Sequence, residues 1–105
     1  MYSETQGEAI RVMNQVLNYV EAFGLPRSRW FFGITDEPPR RLPGEHRVAL
    51  ETDPHICLPV SNTQTAKFVE GFLTDDVFGG FDGGPGGHTQ GKFVYAYLKQ
   101  PHTRR

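Results

Sequence analysis

Arg41, His46, Glu70 and Tyr95 are the residues whose types and placement could do chemistry together. Arg41 follows closely on the aromatic segment Trp30-Phe31-Phe32-Gly33-Ile34-Thr35, where a strand would deliver a phosphate-seeking guanidinium. Hydrolysis of a phosphodiester needs a carboxylate to hold a divalent cation, an arginine to fork phosphate oxygens, and a base near the attacking water. The chain offers Glu70 for the first role, Arg41 for the second, and Tyr95 or His46 for the third. Each also has a plainer reading. Arg41 reads as a solvated surface arginine, Glu70 as the polar side of an amphipathic helix, Tyr95 and Tyr97 as sheet packing, and His46 as a surface histidine.

The elements that must position these residues follow from periodicity. Ile10, Met13, Leu17 and Val20, flanked by Ala9, Val12, Val16 and Phe23, recur at helical spacing and predict a long N-terminal helix over residues 4–23. Ser3 with Gln6 suits a capping box, and Gly24 then Pro26 end the helix. Residues 29–35 read as a buried strand. Asp36 is placed to cap a short helix with proline in its first turn, which Pro43-Gly44 ends or distorts before His46. Ile56 to Val60 reads as a strand that Pro59 pushes to an edge or a bulge. Ser61-Asn62-Thr63 supplies caps for a helix of about residues 63–74, with Ala66, Val69, Phe72 and Leu73 on its apolar side and Glu70 in its middle. Phe93 to Leu98 gives the last strand. The expected fold is α+β, a small three-stranded, mainly antiparallel sheet covered by helices in a single domain over residues 1–105.

Composition narrows the function classes. A chain of 105 residues buries roughly two-thirds of its unfolded surface, enough for one modest core. A net charge of −1 argues against coating nucleic acid by bulk electrostatics, yet the charge is uneven. Residues 27–47 and 92–105 are basic, while 51–82 are acidic, so a fold that joins the two basic segments would present a face to a polyanion. No apolar run approaches the roughly 20 residues of a bilayer span, so no membrane partner is expected. Met1 to Ala9 lacks the order of a secretory signal, and the lone Cys57 offers no internal disulfide, so a reducing cytoplasm is the expected setting. His55, His88 and His102 lack close ligand spacing, and zinc is not expected. Residues 79–91 hold seven glycines and read as a loop. They suggest either an anion-lining backbone or, as we prefer, a series of turns aiming the last strand into the sheet. The segment has neither the lysine of a P-loop nor a GxGxxG order before a helix, so no nucleotide cofactor is expected.

These residues resemble the GIY-YIG nuclease superfamily over about residues 30–73. That family pairs a Gly-Ile-Tyr strand with a Tyr-Ile-Gly strand, then places an arginine and a histidine on a helix, then a strand and a helix whose glutamate binds one metal ion. Phe31-Phe32-Gly33-Ile34-Thr35 is similar to the Tyr-Ile-Gly strand, Arg41 falls where the family's arginine falls, and His46 lies one residue later than usual. The stretch from Ile56 to Leu73 is similar to the strand and the glutamate-bearing helix, with Glu70 as the metal ligand. Phe31 replaces a tyrosine, and the first strand of the hairpin is missing from its usual place. A circular permutation would restore it, with Val94-Tyr95-Ala96-Tyr97 beside the Trp30 strand and Tyr95 standing in for the missing tyrosine. The resemblance implies a metal-dependent DNA endonuclease using Mg2+ or Mn2+ on Glu70. Its room for targeting is small, which implies recognition of DNA structure, a homodimer or a protein partner. The alternative is a non-catalytic domain on the same scaffold that binds nucleic acid or protein.

Overall fold

The first helix, α1, spans Glu4–Glu21 in the computed structural model, which describes residues 4–83 and 91–105. Its buried stripe is Ala9, Val12, Met13, Val16 and Val20. Ile10 and Phe23, both expected inside, are 36% and 42% exposed, because the stripe facing the sheet runs through 9, 13, 16 and 20 and leaves them at its margins. Ser3 lies outside the described residues.

Four strands follow: β1 (Trp30–Thr35), β2 (His55–Pro59), β3 (Asp82–Gly83) and β4 (Phe93–Leu98). They form one sheet in the order β2-β4-β1-β3, antiparallel except for the parallel pair β1 and β3. The sheet is therefore four-stranded and mixed, where three strands were expected. The extra strand lies inside the glycine-rich segment that reads as loop. A Cβ on Gly83 would meet the Phe32 carbonyl oxygen at 2.3 Å, so only glycine, here at φ +123°, lets the chain close on the edge of β1. The rest of that segment, residues 84–90 with His88, lies outside the described residues. Pro59 stands at the end of edge strand β2, where its missing N–H costs no ladder bond.

The second helix, α2 (Thr63–Leu73), is capped by Asn62, whose Oδ1 accepts from the Thr65 N–H at 2.8 Å. It buries Ala66, Val69 and Leu73, while Phe72 is 45% exposed and stacks on Phe78 instead of entering the core. Both helices cover one sheet face, where Trp30, Phe32, Ile34, Val94, Ala96 and Leu98 meet Val16, Val20, Val69 and Leu73. Strand alternation sends Phe31, Tyr95, Tyr97 and Cys57 to the opposite face, where a smaller cluster closes with Leu42 and Val48. Among the described residues, no helix is long and apolar enough to cross a membrane.

Candidate active site on the second sheet face

The segment after β1 builds the roof over this second face. In place of a short α-helix capped by Asp36, the chain winds Arg40–Glu45 as a wide π-type turn in which the His46 N–H reaches the Arg41 carbonyl at 2.9 Å. Asp36 instead accepts from the Lys92 N–H at 3.1 Å. Pro43 sits inside the turn, and its absent N–H disfavours regular α-helical bonding there. Leu42 plugs into the cluster with Tyr95 and Tyr97, and so fixes Arg41 on one side of the turn and His46 at its end.

The side chains then converge. The Arg41 Nε–H donates to Tyr95 Oη at 3.3 Å, and the His46 Nε2 lies 2.6 Å from the same oxygen. His46 Nδ1 lies 2.6 Å from the Arg104 carbonyl, and Tyr97 donates to that carbonyl at 2.9 Å. A carbonyl only accepts, so Nδ1 carries the proton of the neutral ring and Nε2 accepts from the Tyr95 hydroxyl. Burial holds His46 below the usual histidine range, and the Arg41 charge pushes the same way against the opposing pulls of the Arg104 carbonyl and Glu45. Burial pushes the Tyr95 hydroxyl up, with Arg41 opposing and the charges of Glu70 and Glu45 adding to the rise. The Arg41 guanidinium is raised, since its bonds and charge contacts with Tyr95 and Glu45 together outweigh its desolvation. Phe31 has no hydroxyl to contribute, and its ring packs 5.0 Å from that of His46 and 5.4 Å from that of Tyr97.

Gly33 has a specific part in this arrangement. It pairs with Tyr95 across the β1–β4 ladder, and the tyrosine ring lies over it: a Cβ there would stand 2.4 Å from Tyr95 Oη and 2.5 Å from Cζ. Gly33→Ala is expected to cost about 1–3 kcal/mol by overpacking and to drive the ring off Arg41 and His46. Chemical denaturation, with the tyrosine near-ultraviolet dichroism as a local readout, checks both effects.

Arg41, His46 and Tyr95 are thus in direct contact. The surface reading of His46 is corrected, since it is 2% exposed, and so is the solvated-face reading of Glu70, which is 9% exposed. Glu70 stands apart from the contacting group, and its charge still reaches Tyr95. Its carboxyl is pushed above the usual range by burial, with Lys67 only partly opposing, and among the described residues no hydrogen bond to it is made. A desolvated carboxylate without a donor could hold one divalent cation, with the remaining positions left to water or phosphate oxygens. Among the described residues, no group of three or more acidic, histidine or cysteine side chains gathers to hold a metal by itself.

Two contributors escape a reading of the sequence. Tyr97 shares the Tyr95 face because strand residues two apart project together, which was a usable signal. The Arg104 carbonyl gave none, since every residue carries one. Scans of protein-family models and searches of curated proteins and solved structures return no match to this chain.

Proposed function

We propose that this chain is a GIY-YIG-like domain in circularly permuted form, acting as a metal-dependent DNA endonuclease that hydrolyses phosphodiesters. The observation that carries the reading is the contact of Arg41 and His46 with one tyrosine oxygen, with Glu70 in electrostatic reach of it. Strand β4 lies between β1 and β2 and pairs Tyr95 with Gly33, an arrangement that supports the permuted reading. A magnesium or manganese ion on Glu70 would polarise a phosphoryl oxygen as a Lewis acid. Arg41 spends Nε on Tyr95 and Nη1 on Glu45, and its remaining N–H groups steady the scissile phosphate. The proton of the attacking water passes to Tyr95 Oη as the Tyr95 proton moves to His46 Nε2. The water oxygen bonds phosphorus, the opposite P–O bond breaks, and the leaving oxygen takes a proton from solvent.

The burial of Tyr95 and His46, at 1% and 2% exposure, favours a second reading. In that reading the network is a satisfied polar core, and the domain binds nucleic acid or protein without cutting.

Plasmid cleavage with magnesium and with manganese separates the two. On the first reading wild type cuts, and Glu70→Ala and Arg41→Ala each lose about 100-fold or more in rate. Cleavage that persists in both variants eliminates this site, and its absence under either metal favours the binding reading.

A further inference from the structure

The two basic segments of the sequence meet in the fold. The Lys99 N–H donates to the Arg29 carbonyl at 2.9 Å, and the Arg104 N–H to the His46 carbonyl at 2.7 Å. The second bond sets the main chain of Arg104 directly against the peptide that leads into Arg47. Three arginines therefore surround His46, and they differ in how they are used. Arg41 is committed to Tyr95 and Glu45. The side chains of Arg47 and Arg104 are exposed, and among the described residues neither has an ionic or hydrogen-bonding partner. Nearby acids are already engaged, Glu45 by Arg40 and Arg41, Asp82 by Lys99 and Arg105, and Asp53 by His102.

Arg47 also holds an unusual backbone. Its φ of 58° is the left-handed conformation, and it is the one described residue other than glycine with positive φ. Asparagine or glycine takes that conformation at less cost. The turn is needed because both neighbours, His46 and Val48, are 2% exposed and must each enter the cluster. The outcome is an arginine held outward at the rim of the site, on a backbone whose geometry does not favour it.

We propose that Arg47 and Arg104 hold the phosphodiester backbone of a nucleic acid beside the Arg41–His46–Tyr95 site. The proposal rests on the reading that this site faces a phosphodiester. Two unpaired guanidiniums near a third offer bidentate contacts to neighbouring backbone phosphates. Because the rest of the molecule is near neutral, these few contacts carry most of the affinity, and it depends steeply on salt.

The test is equilibrium binding of fluorescent DNA and RNA duplexes of one sequence, in EDTA so that metal-dependent cleavage is suppressed, across a salt series. Arg47→Ala and Arg104→Ala are each expected to lower affinity several-fold and to reduce the salt slope by about one, and the double variant by about two. Arg11→Ala, on the remote face of α1, should change neither. Whichever duplex shows this pattern identifies the source of the backbone. Arg47→Gly guards against misfolding, because it relaxes the strained φ and should bind as weakly as Arg47→Ala while melting no lower than wild type. An unchanged slope in the double variant, or an equal loss in Arg11→Ala, overturns the proposal. Cleavage by wild type with unaltered binding by the double variant removes the backbone contact and leaves the nuclease. The expected slopes without cleavage under any metal remove the nuclease and leave the backbone contact.

Discussion

Tyr95→Phe is expected to lower phosphodiester cleavage by about 10²–10⁴-fold while leaving a folded protein. The substitution removes one oxygen and keeps the ring over Gly33, so the β1–β4 packing survives. What disappears is the junction of the network. The Arg41 Nε–H loses its acceptor, and the buried Nε2 of His46 loses its donor. Leaving such groups unpaired costs about 1–3 kcal/mol. For a domain of this size that corresponds to a fall in Tm of roughly 4–8 °C per kcal/mol. Tyr97→Phe is the internal comparison. It removes the bond to the Arg104 carbonyl and the 3.2 Å contact with His46 Nδ1, but Nδ1 still engages that carbonyl, so His46 keeps its tautomer and cleavage falls little. Paired rate and melting measurements on the two variants distinguish chemistry from packing. Equal rates for Tyr95→Phe and wild type would reduce Tyr95 to a sheet residue.

The parts of this fold that were legible in the sequence are those set by local periodicity. Ile10, Met13, Leu17 and Val20 mark α1, Asn62 starts α2, and the aromatic runs at Trp30 and Phe93 mark the two central strands. Strand β3 was not legible, because two residues carry no period and their pairing depends on a glycine meeting an edge that only the folded sheet supplies. The wide turn at Arg40–Glu45 was hidden for a similar reason. Pro43 announces that a regular helix fails, but the direction of the failure is set by Leu42 and Val48 entering the cluster beside Tyr95. The candidate site divides along the same line. Arg41, His46, Glu70 and Tyr95 are side chains with recognisable chemistry and could be nominated from type and spacing. The contact of Arg41 and His46 with Tyr95 depended on β4 lying next to β1, and the tautomer of His46 depended on a main-chain oxygen from Arg104.

The pH dependence of stability provides the second large test, because the two buried ionisable groups act in opposite directions. His46 has its pKa lowered in the folded state, so the unfolded chain binds a proton first as pH falls below about 6.5. Its contribution is fully present above that value and is lost as pH falls through the folded pKa. Glu70 has its pKa raised, so its contribution is fully present below the usual glutamate range and is lost as pH rises through the folded pKa. At neutral pH the protein therefore keeps the benefit of a neutral His46 and bears the burden of a charged, undonated Glu70. Glu70→Gln replaces that charge with a neutral amide and is expected to gain about 1 kcal/mol at pH 7.5 while abolishing metal-dependent cleavage. The gain should shrink as the pH falls, because wild-type Glu70 takes up its own proton at a higher pH than an ordinary glutamate. Urea titrations of both proteins from pH 4.5 to 8, each without metal, measure the gap directly. A constant gap across that range would show that the burden on Glu70 is not its charge. A gap that opens with pH and closes when magnesium or manganese is added to wild type would mark Glu70 as a carboxylate buried to receive a cation, since a ligand that binds only the folded state restores its stability.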